Sequence, residues 1–221
     1  MNKRYALWGG LLATMALIII VMVRVADDDT NQAPASAAIQ NSGTAESEIL
    51  APRDNDWIKG NPDADVVVVK YSDFQCPACR FYASMDDQLS QEMGDDVLFI
   101  FRHFPLSSFE HSNLASRYTE AAGRQDKFWR MHDLIYINQQ RWSRSNDAES
   151  IFRQFADSID LDMAQLDEDL EDPDLMARIR SDYEDGQRLG VRAVPSLFIN
   201  GEMIQNPNSM DEYREMIESR L

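Results

Sequence analysis

Hydrophobic residues follow several distinct patterns along this chain, and each predicts a different kind of element. From Tyr5 to Val23 there is no charged residue, with Lys3 and Arg4 before the run and Asp27, Asp28 and Asp29 after it. A helix of these 19 residues would be about 28 Å long at ~1.5 Å per residue, close to the roughly 30 Å hydrocarbon core of a bilayer. Basic residues before the run and acids after it orient its start in the cytoplasm and the rest of the chain outside. A cleaved signal peptide is the competing reading. Its apolar region is shorter and is followed closely by small residues, whereas Arg24 interrupts that position here. Both readings export the remainder. Residues 27–51 are rich in Ala, Ser, Thr, Asn and Gln and carry few bulky apolar groups, so they cannot offset chain entropy by burial and predict a flexible tether. The expected organisation is a signal anchor or transmembrane helix over 1–26, a linker over 27–51 and a folded domain over 52–221.

Within that domain the period of the pattern changes. Val66-Val67-Val68-Val69-Lys70-Tyr71 is a β-branched run of the kind that forms a central strand covered on both faces. Beyond Pro77, the spacings of Tyr82, Met85, Leu89 and Met93 predict an amphipathic helix closed by Gly94. Helical periodicity returns at Leu114–Ala122 and Phe128–Ile135, over 147–157 and 162–171, and over 174–189. Near the end, Leu197-Phe198-Ile199 and Glu202-Met203-Ile204 flank Asn200-Gly201, which predicts two short strands around a tight turn, with Pro195 at the opening of the first.

Composition narrows the chemistry. Hydrophobic residues make up 44% and charged residues 27%, as expected for a packed core, and the formal net charge is −17. Residues 1–26 hold three basic residues and no acid, so the remainder carries 18 Lys and Arg against 38 Asp and Glu, a net −20. A nucleic-acid partner is thereby disfavoured.

The only cysteines are Cys76 and Cys79, in the motif Ser72-Asp73-Phe74-Gln75-Cys76-Pro77-Ala78-Cys79. Pro77 suits the first turn of a helix, where its missing N–H would be unpaired anyway. Cys76 then falls at a helix N-terminus, where free N–H groups and the helix dipole favour a thiolate. A structural disulfide is one alternative, but a four-residue loop contributes only about 2 kcal/mol. A zinc site is another, and it would have to recruit His103, His111 or His132 without the usual ligand spacing. A redox-active pair in an oxidising compartment fits better.

The segments YSDFQCPACRFY (71–82), FRHFPL (101–106), His111 with Ala115, KFWRMHDLIY (127–136) and LGVRAVPSLFING (189–201) together resemble the exported DsbA-like thiol:disulfide oxidoreductases of the thioredoxin superfamily. The resemblance covers residues 53–221. It implies an α/β thioredoxin fold with a helical insertion at about 107–180, Cys76 as nucleophile, Cys79 as resolving thiol, and Val194 and Pro195 as the backbone that receives an extended substrate strand. The family's bond before that proline is cis. Pro77 and Ala78 would tune the redox poise; they lack the histidine of the best-known oxidases. Lys70, six residues before Cys76, stands where relatives place a buried acid. Either its head reaches water from a strand end, or it points beneath the thiols and favours the Cys76 thiolate. His111 and His132 match family positions and read as structural histidines; Phe128, Trp129 and Trp142 read as packing, with a groove as the alternative.

No metal or organic cofactor is implied beyond the Cys76–Cys79 disulfide itself. The implied activity is an oxidase that donates this disulfide to reduced or unfolded exported proteins, is reoxidised by a membrane partner, and works outside the cytoplasm on a single-pass anchor. A disulfide reductase or isomerase would use the same two cysteines, and a non-enzymatic folding or peptide-binding module is the remaining alternative.

Overall fold

The computed structural model describes residues 45–221. The apolar run 5–23 and residues 27–44 of the expected tether lie outside the described residues. Among the described residues no helix is long and apolar enough to cross a membrane.

A five-stranded sheet has the order β1-β3-β2-β4-β5, formed by β1 (Trp57–Gly60), β2 (Val66–Ser72), β3 (Val97–His103), β4 (Ser196–Ile199) and β5 (Glu202–Met203). The Val-rich run is a central strand, parallel to β3 with Val69 opposite Ile100 and antiparallel to β4 with Val69 opposite Phe198. Alternation along β2 divides its side chains between two layers. Val66 and Val68 pack against Tyr82, Met85 and Leu89 of helix α1 (Pro77–Met93) and Tyr213 and Ile217 of the last helix, while Val69 and Tyr71 pack with Phe104 and Phe198 on the opposite face.

Between β3 and β4 the chain forms α2 (Ser112–Gly123), α3 (Phe128–Ile137), α4 (Gln139–Trp142), α5 (Ala148–Ser158), α6 (Met163–Glu171) and α7 (Pro173–Arg188), and the final helix is α8 (Met210–Glu218). The insertion therefore matches the predicted helical periods, and its helices run from Ser112 to Arg188, longer than the expected 107–180 at its C-terminal end. Tyr118, Phe128, Trp142 and Phe152 form its core. Phe128 and Trp142 are buried, so the packing reading holds for them. Asn200 (φ 49°) and Gly201 (φ 85°) make the left-handed turn between β4 and β5, as the Asn-Gly pair requires. The four-residue edge strand β1 is absent from the expected elements, because its alternation of half-buried and exposed positions is too short to register as a period.

The folded unit also begins earlier than expected. Residues 45–50 form a helical turn and Leu50 is buried against the sheet, so residues 46–51 belong to the domain and not to the tether. The cause is a buried cation. Arg102 on β3 makes a bidentate pair with Asp56 and donates to the carbonyls of Ile49 and Ala51. A buried guanidinium needs every donor satisfied, and these two carbonyls fix the segment in place.

Candidate active site

Cys76 caps α1. Its backbone is extended (φ −73°, ψ 122°), Pro77 follows at the first helical position, and the Cys79 N–H donates to the Cys76 sulfur at 3.5 Å. Both thiols are free, with Cys79 fully buried and Cys76 7% exposed. The pair is asymmetric. A hydrogen bond from the Cys79 thiol and backbone N–H groups of Cys79 and Ala78 bring the Cys76 thiol down from 9.0 to about 7, against burial and the Asp73 charge. Burial pushes the Cys79 thiol well above its ordinary value, and a thiolate at Cys76 would push it further. The exposed dipeptide Pro77-Ala78 contributes through one backbone donor, that of Ala78, since Pro77 has none.

Val194-Pro195 lies across from the helix start. The bond is cis, and the Val194 carbonyl accepts from the Cys76 thiol at 3.5 Å, so the two segments expected from opposite ends of the domain meet at one sulfur.

Lys70 answers to neither expectation. It is 4% exposed, so its head does not reach water, and its ammonium is taken by Asp86 on the third turn of α1 and not aimed beneath the thiols. Asp86 also accepts from the Tyr213 hydroxyl at 3.0 Å. The correction has a simple physical reason: a desolvated cation on β2 takes the nearest carboxylate of the helix packed on that face. The Lys70 head lies 5.9 Å from the Phe101 ring centre. His132 is also buried, its Nδ1 2.8 Å from Asp133, and burial brings it down to about 4, so it stays neutral near pH 7 as a structural ring among Phe74, Phe101 and Trp129. His111 likewise serves structure: its backbone N–H donates to the Gln75 side chain and its Nε2 lies 2.9 Å from the Ser145 carbonyl.

Several further groups around the site are not among the candidate site residues expected from the sequence. Asp73 is buried and accepts from Gln75 N at 2.7 Å, Ser112 Oγ at 2.6 Å and Leu106 N at 2.7 Å, joining the active loop to the β3–α2 loop and the start of α2. Burial still raises its carboxyl above the ordinary value despite these bonds. Gln139 of α4 donates to the carbonyls of Phe74 and Cys76, and Gln75 donates to Ser143. Beneath them, Ser72 Oγ lies 2.9 Å from the Tyr136 hydroxyl. The helical insertion thus holds the Cys76 loop through side chains of Ser112, Tyr136 and Gln139. Of these residues only Asp73 carries a legible signal, an Asx-type bond to the N–H two residues on.

The family profile described as Thioredoxin matches residues 53–219. The chain belongs to the thioredoxin family. A thioredoxin-like oxidoreductase from Silicibacter pomeroyi DSS-3 is similar at 26% identity and TM-score 0.65, covering 79% of this chain and 95% of that one. The alpha-DsbA1 structure of Wolbachia pipientis superposes at TM-score 0.68 over 79% of this chain and 94% of that one; at 19% identity the likeness is of fold. Among curated proteins, the chain is 32% identical over 167 residues to "Na(+)/H(+) antiporter NhaA 1" of Mycolicibacterium gilvum (strain PYR-GCK), covering 72% of this chain and 26% of that protein. The chain therefore spans about a quarter of the length of the curated relatives it matches, and the ion transport in that name belongs to the larger protein. The domain is a thioredoxin-like fold with DsbA-like structural neighbours, and its fold is that of thiol-disulfide oxidoreductases.

Proposed function

We propose that this thioredoxin-family domain is a thiol:disulfide oxidase acting on exported proteins, held at the outer face of the cell membrane by residues 1–26. The observation that carries the reading is the asymmetry of the pair: Cys76 at the helix start, down at about 7, and Cys79 buried and pushed up. A substrate thiolate attacks the Cys76 sulfur of the oxidised pair. The Cys76–Cys79 bond breaks, and Cys79 takes the electron pair and a proton. A second substrate thiolate then attacks the substrate sulfur of the mixed disulfide, and Cys76 leaves as a thiolate. The substrate has lost two electrons and the enzyme has gained them. A low leaving-group pKa speeds that last step, so the depression at Cys76 favours release of an oxidised product. The Val194 backbone, beside the sulfur, is the place for an extended substrate strand to pair. A membrane redox partner restores the disulfide, and no metal or organic cofactor takes part.

One observation favours a second reading. A nucleophilic thiol at about 7 lies closer to that of thioredoxin, roughly 7, than to that of DsbA, roughly 3.5, which suits a reductase. Redox equilibrium of the purified domain with glutathione separates the two. An oxidase gives a potential nearer the roughly −120 mV of DsbA, while a value near the roughly −270 mV of thioredoxin overturns the oxidase direction.

A further inference from the structure

Beside Cys76 lies a groove of about 970 Å³, lined by Gln75 of the active loop and Arg80 and Phe81 of α1, together with Phe109, Gln140 and Arg144 from the chain beyond β3. Pro77 also lines it, so the chain on both sides of Cys76 faces the groove. Its charge is opposite to that of the molecule. The chain beyond residue 26 has a net −20, yet among the described residues no carboxylate lines this groove and two arginines do.

Those arginines are uncommitted. Most cations of the domain are taken up internally: Arg53, Arg102, Arg124, Arg178 and Arg214 all form ion pairs. Arg80 and Arg144 form no ion pair and no side-chain hydrogen bond among the described residues, and Arg144 is exposed. In a domain with so many carboxylates to choose from, two unpaired guanidinium groups lining one groove leave their donors for a ligand. Guanidinium groups bind carboxylates through two parallel hydrogen bonds, and Phe81, 53% exposed, offers an apolar surface in the same groove.

We infer that this groove selects substrate segments with Asp or Glu flanking the reacting cysteine, Arg80 and Arg144 binding those carboxylates while the cysteine reaches Cys76. The inference rests on the oxidoreductase reading of Cys76 and Cys79 and names its substrate class. It also has a kinetic consequence. An acidic segment is repelled by most of this surface and attracted at the groove, so the field there favours its approach to the active thiol.

The test uses two synthetic peptides, each with the same pair of cysteines, one flanked by Asp and Glu and the other by Lys at the same positions. Exchange with the domain is followed at low salt and at about 1 M salt, where the screening length falls to roughly 3 Å. The acidic peptide is expected to react with about tenfold higher kcat/KM at low salt, a difference that shrinks towards unity at high salt. In the double variant Arg80→Gln, Arg144→Gln the preference is expected to disappear, and Arg144→Glu is expected to move it towards the basic peptide. Equal rates for the two peptides at low salt, or a preference for the basic one, overturn the inference, as does a preference that survives both the double variant and high salt. If neither peptide exchanges at all, the oxidoreductase reading fails instead, so the two failures are distinguishable. The salt series on the unmodified domain decides the matter even where a variant does not fold.

Discussion

A bend in the pH dependence of the reduction potential follows from the unequal thiols. The perturbation is pH itself, varied from 5 to 9. Across that range Cys79 keeps its proton, because burial pushes it well above 9.0, while Cys76 loses its proton at about 7. Below about pH 7, reduction of the disulfide takes up two protons with its two electrons; above it, one. Each proton contributes about 30 mV per pH unit for a two-electron couple, so the potential is expected to fall by about 59 mV per unit up to the bend and about 30 mV per unit beyond it. Over the whole range the fall is about 180 mV, whereas a pair with both thiols at 9.0 or above would fall by about 240 mV. The assay is a glutathione redox equilibrium at half-unit pH steps, quenched with acid and read by alkylation and mass. A single slope near 59 mV per unit up to pH 9 refutes the depressed thiol at Cys76. The same depression acts on folding of the reduced form. A group lowered in the folded state binds fewer protons there than when unfolded, so this contribution to stability is fully present above about pH 9 and is lost as pH falls through about 7.

Other consequences are more local. Lys70→Met leaves Asp86 facing a buried site without its cation and is expected to cost about 3 to 5 kcal/mol in urea unfolding, with Lys70→Met, Asp86→Leu recovering much of that loss; equal losses in the two variants would show that the pair is not coupled. A Cβ at Gly123 would meet the Trp57 ring at 2.3 Å, so Gly123→Ala is expected to destabilise by roughly 1 to 3 kcal/mol, and unchanged stability would contradict the close approach of α2 to β1. The native chain is expected to stay in the membrane fraction after alkaline or high-salt washing, since the run from Tyr5 to Val23 needs no surface charge to hold it, and recovery of a soluble chain beginning near residue 36 would mean that the segment is a cleaved signal.

What the sequence made legible was whatever depends on local pattern. The valine run predicts a buried central strand because β-branching and burial coincide over consecutive residues, and it forms one from Val66 to Ser72. The helices of the insertion follow their apolar spacing, and Cys76 caps α1 because Pro77 fixes where the helix starts. What depends on distant partners was not legible. Nothing near Lys70 in sequence says that Asp86 will face it across the sheet–helix interface, nor that Gln139 will reach back to the Cys76 carbonyl. The same holds for residues 46–51, Glu-Ser-Glu-Ile-Leu-Ala, which read as the end of the tether until Arg102, some fifty residues on, uses the carbonyls of Ile49 and Ala51. Arg80 and Arg144 carry no signal in the sequence, and only the fold brings them into the lining of one groove.

The division of labour between the two sulfurs is tested most directly by trapping. Cys79→Ser is incubated with a peptide disulfide at pH 7.5, quenched with acid, and mapped by mass spectrometry. The Cys76 thiolate should attack, release one peptide thiolate and remain in a mixed disulfide that persists because the resolving thiol is gone, while Cys76→Ser should trap nothing. A mixed disulfide formed through Cys79 in Cys76→Ser, at a rate comparable with that through Cys76 in Cys79→Ser, would contradict a nucleophile at the helix start backed by a fully buried resolving thiol.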